Sequence, residues 1–230
     1  MATDESAATR RATASDERRL GWDERHKAGD FEGRGPNPTL VAALSGLASQ
    51  GIRPGRALEL ACGSGTNAVW IASQGWRTTA VDWSPVGLDN GRAKAEAAGV
   101  DVEWLERDLF AWSPPARSFD LVVIVYLHFP LHERGPVYER AAAAVAPGGR
   151  LVVVGHHRLQ EGEGIPGPDP DRLFTPAEIA SPLQAADDEL ELERADVMRH
   201  VPPPGHGSID ALIVLRRKDA DAVSRRGAAK

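Results

Sequence analysis

A single cysteine, Cys62, rules out an internal disulfide and fits a reducing compartment. Long apolar runs are also missing: nothing approaches the roughly 20 residues of a membrane span. The first stretch, MATDESAATRRATASDERRL, has no apolar core of the kind a secretory signal carries. Its acids (Asp4, Glu5, Asp16, Glu17) argue against a transit peptide. A cytoplasmic protein without a membrane partner is therefore expected. Basic clusters are absent in a chain of 230 residues and formal net charge −6, so a nucleic-acid footprint is not expected. His128, His156 and His157 share no ligand-type spacing such as H-x₃-H, and no metal is expected from them. No internal repeat is seen, and the length suits one α/β domain with a real core.

The stretch Ala57 to Gly75, ALELACGSGTNAVWIASQG, organises the rest. It reads as a buried strand (56–61), a glycine turn (Gly63-Ser64-Gly65) and a helix (66–74) stopped by Gly75. The glycines permit a tight turn and close approach of a ligand. The helix start then points free N–H groups at that ligand. Glu59 near the strand end can accept hydrogen bonds from a cationic or hydroxylated ligand. Asp82, nineteen residues after Gly63, ends the next strand, where an acid can hold two ribose hydroxyls. A nucleoside-containing cofactor follows.

Residues 1–18 read as a disordered tail, polar and without apolar period. The segment 21–36 reads as a surface arm anchored by Trp22 and Phe31, with a flap over the cofactor bearing Arg25 or His26 as the alternative. Asn37 and Pro38 are the N-cap and first residue of a helix reaching about Ser49. Strands are expected at 56–61, 77–82, 101–106, 119–126 and 150–155, and helices at 66–74, 85–98 and about 136–146. The alternation predicts a parallel sheet with both faces covered and a ligand crevice at the C-terminal strand ends. Residues 156–174 form a long Gly/Pro/acid loop. Thr175 to Glu178 is a capping box for a helix whose length Pro182 limits. LELERADV and IDALIVLRR then read as an antiparallel hairpin. One domain over 19–218 and a frayed tail over 219–230 complete the expectation.

Gly63 to Ala68 also fits the dinucleotide fingerprint G-x-G-x-x-A, which keeps an NAD(P)-dependent oxidoreductase open as an alternative. Five motifs in order point elsewhere. ELACGSG, VDWS, RDL, FDLVV and APGGRLVVVG resemble the sequential motifs of class I S-adenosylmethionine-dependent methyltransferases. WDER, GSGTN and LHFP look most like small single-domain bacterial enzymes similar to the tellurite-resistance and thiopurine methyltransferases. The resemblance implies a Rossmann-like doubly wound, mostly parallel seven-stranded sheet with a C-terminal antiparallel hairpin. It implies S-adenosylmethionine as cofactor and a small-molecule methyl acceptor carrying S, O, N or chalcogen. It also implies roles for single residues. Ala61, Gly63 and Gly65 would cradle the methionine moiety, with Ala61 standing where many relatives have glycine. Glu59 would support the turn or the cofactor amino group. Asp82 would hold the ribose, Trp83 would pack on adenine, Asp108 and Leu109 would meet the adenine edge, and Tyr126 would offer its carbonyl. A monomer or homodimer is equally compatible, and so is a non-catalytic module that binds the same cofactor.

His128, directly after strand four, is the candidate base or acceptor-orienting group, with a strand-end cap as the alternative. His156 and His157 follow strand five and could line the acceptor pocket with Tyr126. Cys62 reads as a small packed residue, and Asp120 as structural.

Overall fold

The structure, a computed structural model, describes residues 2–30, 32–127, 129–200 and 207–219. Where the sequence predicts a disordered tail over 1–18, helix α1 instead runs over Ala2–Lys27. Alanine, arginine and glutamate favour helix, and the ion pairs Arg19–Asp23 (2.8 Å) and Lys27–Glu24 (2.7 Å) stand at helical spacing. No apolar stripe announces α1, because polar groups dock it. Ser15 donates to Asp108, Arg18 donates to Glu133, and Asp23 accepts from Ser84. Phe31 and residues 220–230, which hold nearly all of the expected C-terminal tail, lie outside the described residues.

Helix α2, Pro38–Ser49, starts where expected, with the Asn37 side chain accepting from the Leu40 N–H at 2.9 Å. The core then alternates β1 (Arg56–Leu60), α3 (Thr66–Ser73), β2 (Arg77–Asp82), α4 (Pro85–Ala98), β3 (Val102–Glu106), β4 (Phe119–Val125), α5 (Leu131–Ala144) and β5 (Val145–His156). A one-turn helix α6 (Leu159–Gly162), helix α7 (Pro176–Ala186) and strands β6 (Leu190–His200) and β7 (Ser208–Arg217) follow. Ser84 caps α4 by accepting from the Gly87 N–H, and Gly99 ends that helix in the left-handed region.

Among the described residues the seven strands form one sheet in the order β3-β2-β1-β4-β5-β7-β6. β1 to β5 are parallel, and β7 runs antiparallel to both β5 and β6. The chain winds outward from β1 in one direction and from β4 in the other. This reversal opens the crevice at the C-terminal ends of the two neighbours. Alternate residues of the central strands face opposite layers. Leu58, Val122 and Ile124 meet Val137 and Tyr138 of α5 and Ile179 and Leu183 of α7. Ala57, Leu121 and Val123 meet Leu40 and Leu44 of α2 and Ile71 of α3.

Two prolines misdirect the helix boundaries. Pro136 suggests a helix start, yet α5 begins at Leu131 and carries Pro136 inside its second turn. The proline leaves one first-turn carbonyl without an intrahelical donor, which solvent can satisfy. Likewise α7 continues through Pro182 to Ala186, held at its start by the expected capping box between Thr175 and Glu178. β5 begins five residues early because Val145 pairs with Phe119 across a register shift.

Gly65 serves packing between helix and strand. A Cβ there would lie 2.4 Å from Trp104 of β3 and 3.1 Å from the Cα of Gly91 on α4, at a φ of +69°. Replacing Gly65 with alanine is expected to lower stability by about 1–3 kcal/mol. Urea unfolding reads this directly, and an unchanged midpoint would contradict the packing role.

Candidate functional site

The turn after β1 passes through the left-handed region three times, at Ala61 (φ 56°), Gly63 (φ 54°) and Gly65 (φ 69°). Ala61 therefore holds a conformation that favours glycine, at a cost of about 1–2 kcal/mol. Neighbouring elements pin the turn. Asp82 at the end of β2 accepts from the Gly63 N–H at 2.8 Å and from the Ser84 N–H at 2.9 Å. Lys94 of α4 donates to the Ser64 carbonyl (2.9 Å), the Ser64 hydroxyl (2.8 Å) and the Thr66 hydroxyl (3.0 Å). Buried Glu59 accepts from Asn67 Nδ2 at 3.0 Å, and Asn67 Oδ1 accepts from the Asn37 N–H at 2.9 Å. Neither Lys94 nor Asn67 was a candidate from sequence. Only the GSGTN motif hinted at the asparagine.

A cavity of about 970 Å³ opens beside this turn. Ala61, Gly63 and Asn67 line it on the turn side. Asp82, Trp83, Leu109, Phe110 and Phe129 line a second side, where Phe129 packs edge to face with Phe110 (4.9 Å) and Trp83 (5.8 Å), and Trp83 lies tilted to Phe110 at 6.2 Å. A third side holds Tyr126, His156, His200 and Ser208. The arm closes the last side with Trp22, Arg25 and His26, so the flap geometry replaces the expected surface arm. The His26 ring comes within 3.4 Å of the position a Cβ would take on Gly63. The Arg25 guanidinium lies 4.6 Å over the Trp22 ring.

The third side is organised by Asp210 of β7, which is fully buried. It accepts from Thr39 Oγ1 (2.8 Å), His200 Nε2 (2.9 Å), Ser208 Oγ (3.0 Å) and the Tyr126 hydroxyl (3.0 Å). The Tyr126 ring stacks on His156 at 4.4 Å and 18°. Tyr126 also holds a positive φ of 56° just past β4. No motif pointed to Asp210 or His200. The only signal was the hairpin itself, whose strand ends the topology returns to the crevice.

Seven of the sequence candidates meet at this cavity: Ala61, Gly63, Asp82, Trp83, Leu109, Tyr126 and His156. Four do not line it. Gly65 is turned into the packing against Trp104. Glu59 lies beneath the turn and supports it through Asn67 and the Ala68 N–H. Asp108 gives one carboxylate oxygen to the Phe110 N–H (2.8 Å) and the other to Ser15 (3.1 Å). His157 turns away, and its Nδ1 accepts from the Leu159 N–H at 3.1 Å. His128, the candidate base, lies outside the described residues. Among the described residues no group of three His, Cys, Asp or Glu could hold a metal, and no helix is long and apolar enough to cross a membrane. Cys62 is buried, and burial pushes its thiol well up, which fits a packed residue.

Burial dominates the charge states. It pushes Glu59 up from 4.5 to about 8, against the lowering effect of Asn67 and the Ala68 N–H. Burial raises Asp82 and lowers His156, His26 and Lys94. For Glu59 the folded state binds the proton more tightly than the unfolded state. The stability it confers is complete below pH 4.5 and lost as pH rises through about 8. Glu59→Gln is expected to flatten that part of the pH dependence, read as urea midpoints between about pH 5 and about pH 9. Equal slopes in both proteins would refute the buried acid. Ala61→Gly is expected to raise stability by about 1 kcal/mol by relieving the left-handed alanine, measured the same way.

Residues 57–149 match the family described as a methyltransferase domain. A demethylmenaquinone methyltransferase of Thermus thermophilus is 37% identical over 107 residues, 44% of this chain and 47% of that protein. The chain thus spans about half the length of the curated relatives it matches. A magnesium protoporphyrin IX methyltransferase from Synechocystis PCC 6803, solved with bound SAH, shares the fold with a TM-score of 0.60 at 16% identity, over 78% of this chain and 82% of that one. TehB from Haemophilus influenzae does so with a TM-score of 0.62 at 14% identity, over 85% and 67%. The matched segment reaches from β1 into β5, through the turn and the crevice beside it, and the sheet reverses only at β7. Residues 57–149, which hold the turn and the crevice beside it, are thus similar to a methyltransferase domain, on a sheet shared with solved methyltransferases.

Proposed function

We propose that the protein transfers a methyl group from S-adenosylmethionine to a small-molecule acceptor. One observation carries this reading. A single cavity joins the glycine turn and Asp82 at one end to the Tyr126, His156 and His200 wall at the other. Its volume of about 970 Å³ is at the upper end of the ~300–1,000 Å³ usual for small-molecule sites, enough for a nucleoside cofactor and a small acceptor together. The residues fit the cofactor by their chemistry. Asp82 would accept from the ribose hydroxyls, Trp83 and Leu109 would flank the adenine, and the backbone at Ala61 and Gly63 would meet the methionine end. S-adenosylmethionine when bound supplies a methyl group already activated on a sulfonium. The chain's own task is then to align the acceptor and exclude water. Alignment accounts for about 7–11 kcal/mol of such barriers. The arm residues Trp22 and His26 line the cavity beside the turn and would help to exclude solvent there. The cytoplasm remains the expected location.

The oxidoreductase reading gives the terminal hairpin no role, whereas here the hairpin places His200 and Ser208 on the cavity wall. Calorimetric titration tests the choice. S-adenosylmethionine and S-adenosylhomocysteine are expected to bind, and NAD(H) is not. Asp82→Ala is expected to weaken both by tenfold or more, about 1.4 kcal/mol, because it removes the ribose acceptor and loosens the Gly63 N–H. Binding of NAD(H) alone would overturn the proposal.

A further inference from the structure

The turn side of the cavity holds a cation and two hydroxyls whose hydrogen bonding is incomplete. Lys94 reaches the turn from α4, and its ammonium donates to the Ser64 carbonyl (2.9 Å), the Ser64 hydroxyl (2.8 Å) and the Thr66 hydroxyl (3.0 Å). An ammonium has three N–H donors and no acceptor, so these bonds use all of them. Each hydroxyl oxygen spends a lone pair on Lys94 and keeps its own O–H to give. Among the described residues neither O–H has an acceptor, and both Ser64 and Thr66 line the cavity. Both oxygens touch the same nitrogen, so the two donors sit together. The charge on Lys94 is not matched at contact either. Among the described residues no carboxylate pairs with its ammonium, and Glu32 is the one acid whose charge reaches it, against the lowering effect of burial.

Two neighbouring O–H donors with a positive charge behind them select an anion that offers two oxygens. We propose that Ser64 and Thr66 donate to the carboxylate at the methionine end of the cofactor, and that Lys94 is the positioning residue that turns their hydrogens toward it. This rests on the methyltransferase reading above, which puts the methionine end at Ala61 and Gly63 of the same turn. Lys94 acts in two ways. It occupies the lone pairs of both hydroxyls, so that neither can turn its oxygen to the ligand. Without it, a serine or threonine hydroxyl is free to swing to a nearby backbone carbonyl, and the donor pair is lost. Its charge also polarises the two O–H bonds in the sense a carboxylate needs.

Two other cations line the cavity, Arg25 and Arg34. Arg25 pairs with Asp30 at 3.1 Å and lies over the Trp22 ring, so its charge is already matched. Arg34 is the rival for the carboxylate and enters the test.

S-adenosylmethionine and decarboxylated S-adenosylmethionine differ only in the carboxylate. Each is titrated by calorimetry into the full chain and its variants, which gives a cycle between one side chain and one ligand group. Lys94→Met is expected to weaken S-adenosylmethionine by about tenfold or more, the size of a lost hydrogen bond to a charged group. The same variant is expected to hold decarboxylated S-adenosylmethionine to within about twofold of the wild type. Thr66→Val, which keeps the shape and removes one hydroxyl, is expected to cost about threefold or more on S-adenosylmethionine alone. A Lys94→Met protein that loses both ligands equally would reduce Lys94 to a brace of the turn and overturn the proposal. A carboxylate-dependent loss in Arg34→Gln with none in Lys94→Met would overturn it too. If Lys94→Met does not fold, Thr66→Val carries the test, and equal effects on the two ligands are the overturning result. Failure of the wild-type protein to bind S-adenosylmethionine or S-adenosylhomocysteine would instead overturn the methyltransferase reading on which the subsite stands.

Discussion

The carboxylate of Asp82 receives the N–H of Gly63 from one side and the N–H of Ser84 from the other. Through it, the turn after β1 and the start of α4 are held at a fixed distance from the end of β2. The parallel sheet makes such a bond necessary. Its strands end side by side at one edge, each passing into a loop whose first N–H groups have no ladder partner. A buried acid at that edge satisfies them, and those hydrogen bonds in turn reduce the cost of burying its charge. Lys94 then fixes the turn from the α4 side through Ser64 and Thr66, and His26 packs over it from α1.

The same device recurs at both ends of the cavity, and the start of α2 joins them. Asn37 caps that helix with its side chain and donates its own N–H to Asn67, which in turn holds Glu59. Two residues on, Thr39 donates to Asp210, the acid behind Tyr126 and His200. Turn side and acceptor side are therefore braced by one helix terminus. Tyr126 adds strain at the junction, since a bulky residue at φ 56° persists only where its surroundings over-determine it. Here the hydroxyl bond to Asp210 and the stack on His156 do so.

Much of this was legible in the residues. The strand, glycine turn and helix around Gly63, the acid at Asp82 and the caps at Asn37 and Thr175 are local features, and local features follow local chemistry. Pro136 and Pro182 misled because proline is a propensity signal, and packing of α5 and α7 on the sheet outweighs the loss of one helical hydrogen bond. Residues 1–18 of helix α1 were read as disordered because they are polar, docking groups such as Ser15 and Arg18 included, and leave no apolar period to detect.

By itself the sequence determined the fold class, the alternation of strands and helices from α2 to β5 and the turn at which a nucleoside cofactor would sit, because periodicity, caps and glycine spacing act between near neighbours. Only the tertiary structure decided which side chains face the cavity. It sent Gly65 into the packing against Trp104, placed Glu59 beneath the turn, tied Asp108 to α1 and turned His157 away. It also brought Asp210 and His200 from the far end of the chain beside Tyr126. Those outcomes depend on contacts between residues tens to more than a hundred and fifty positions apart, such as Thr39 with Asp210, and no local pattern encodes a partner at that separation.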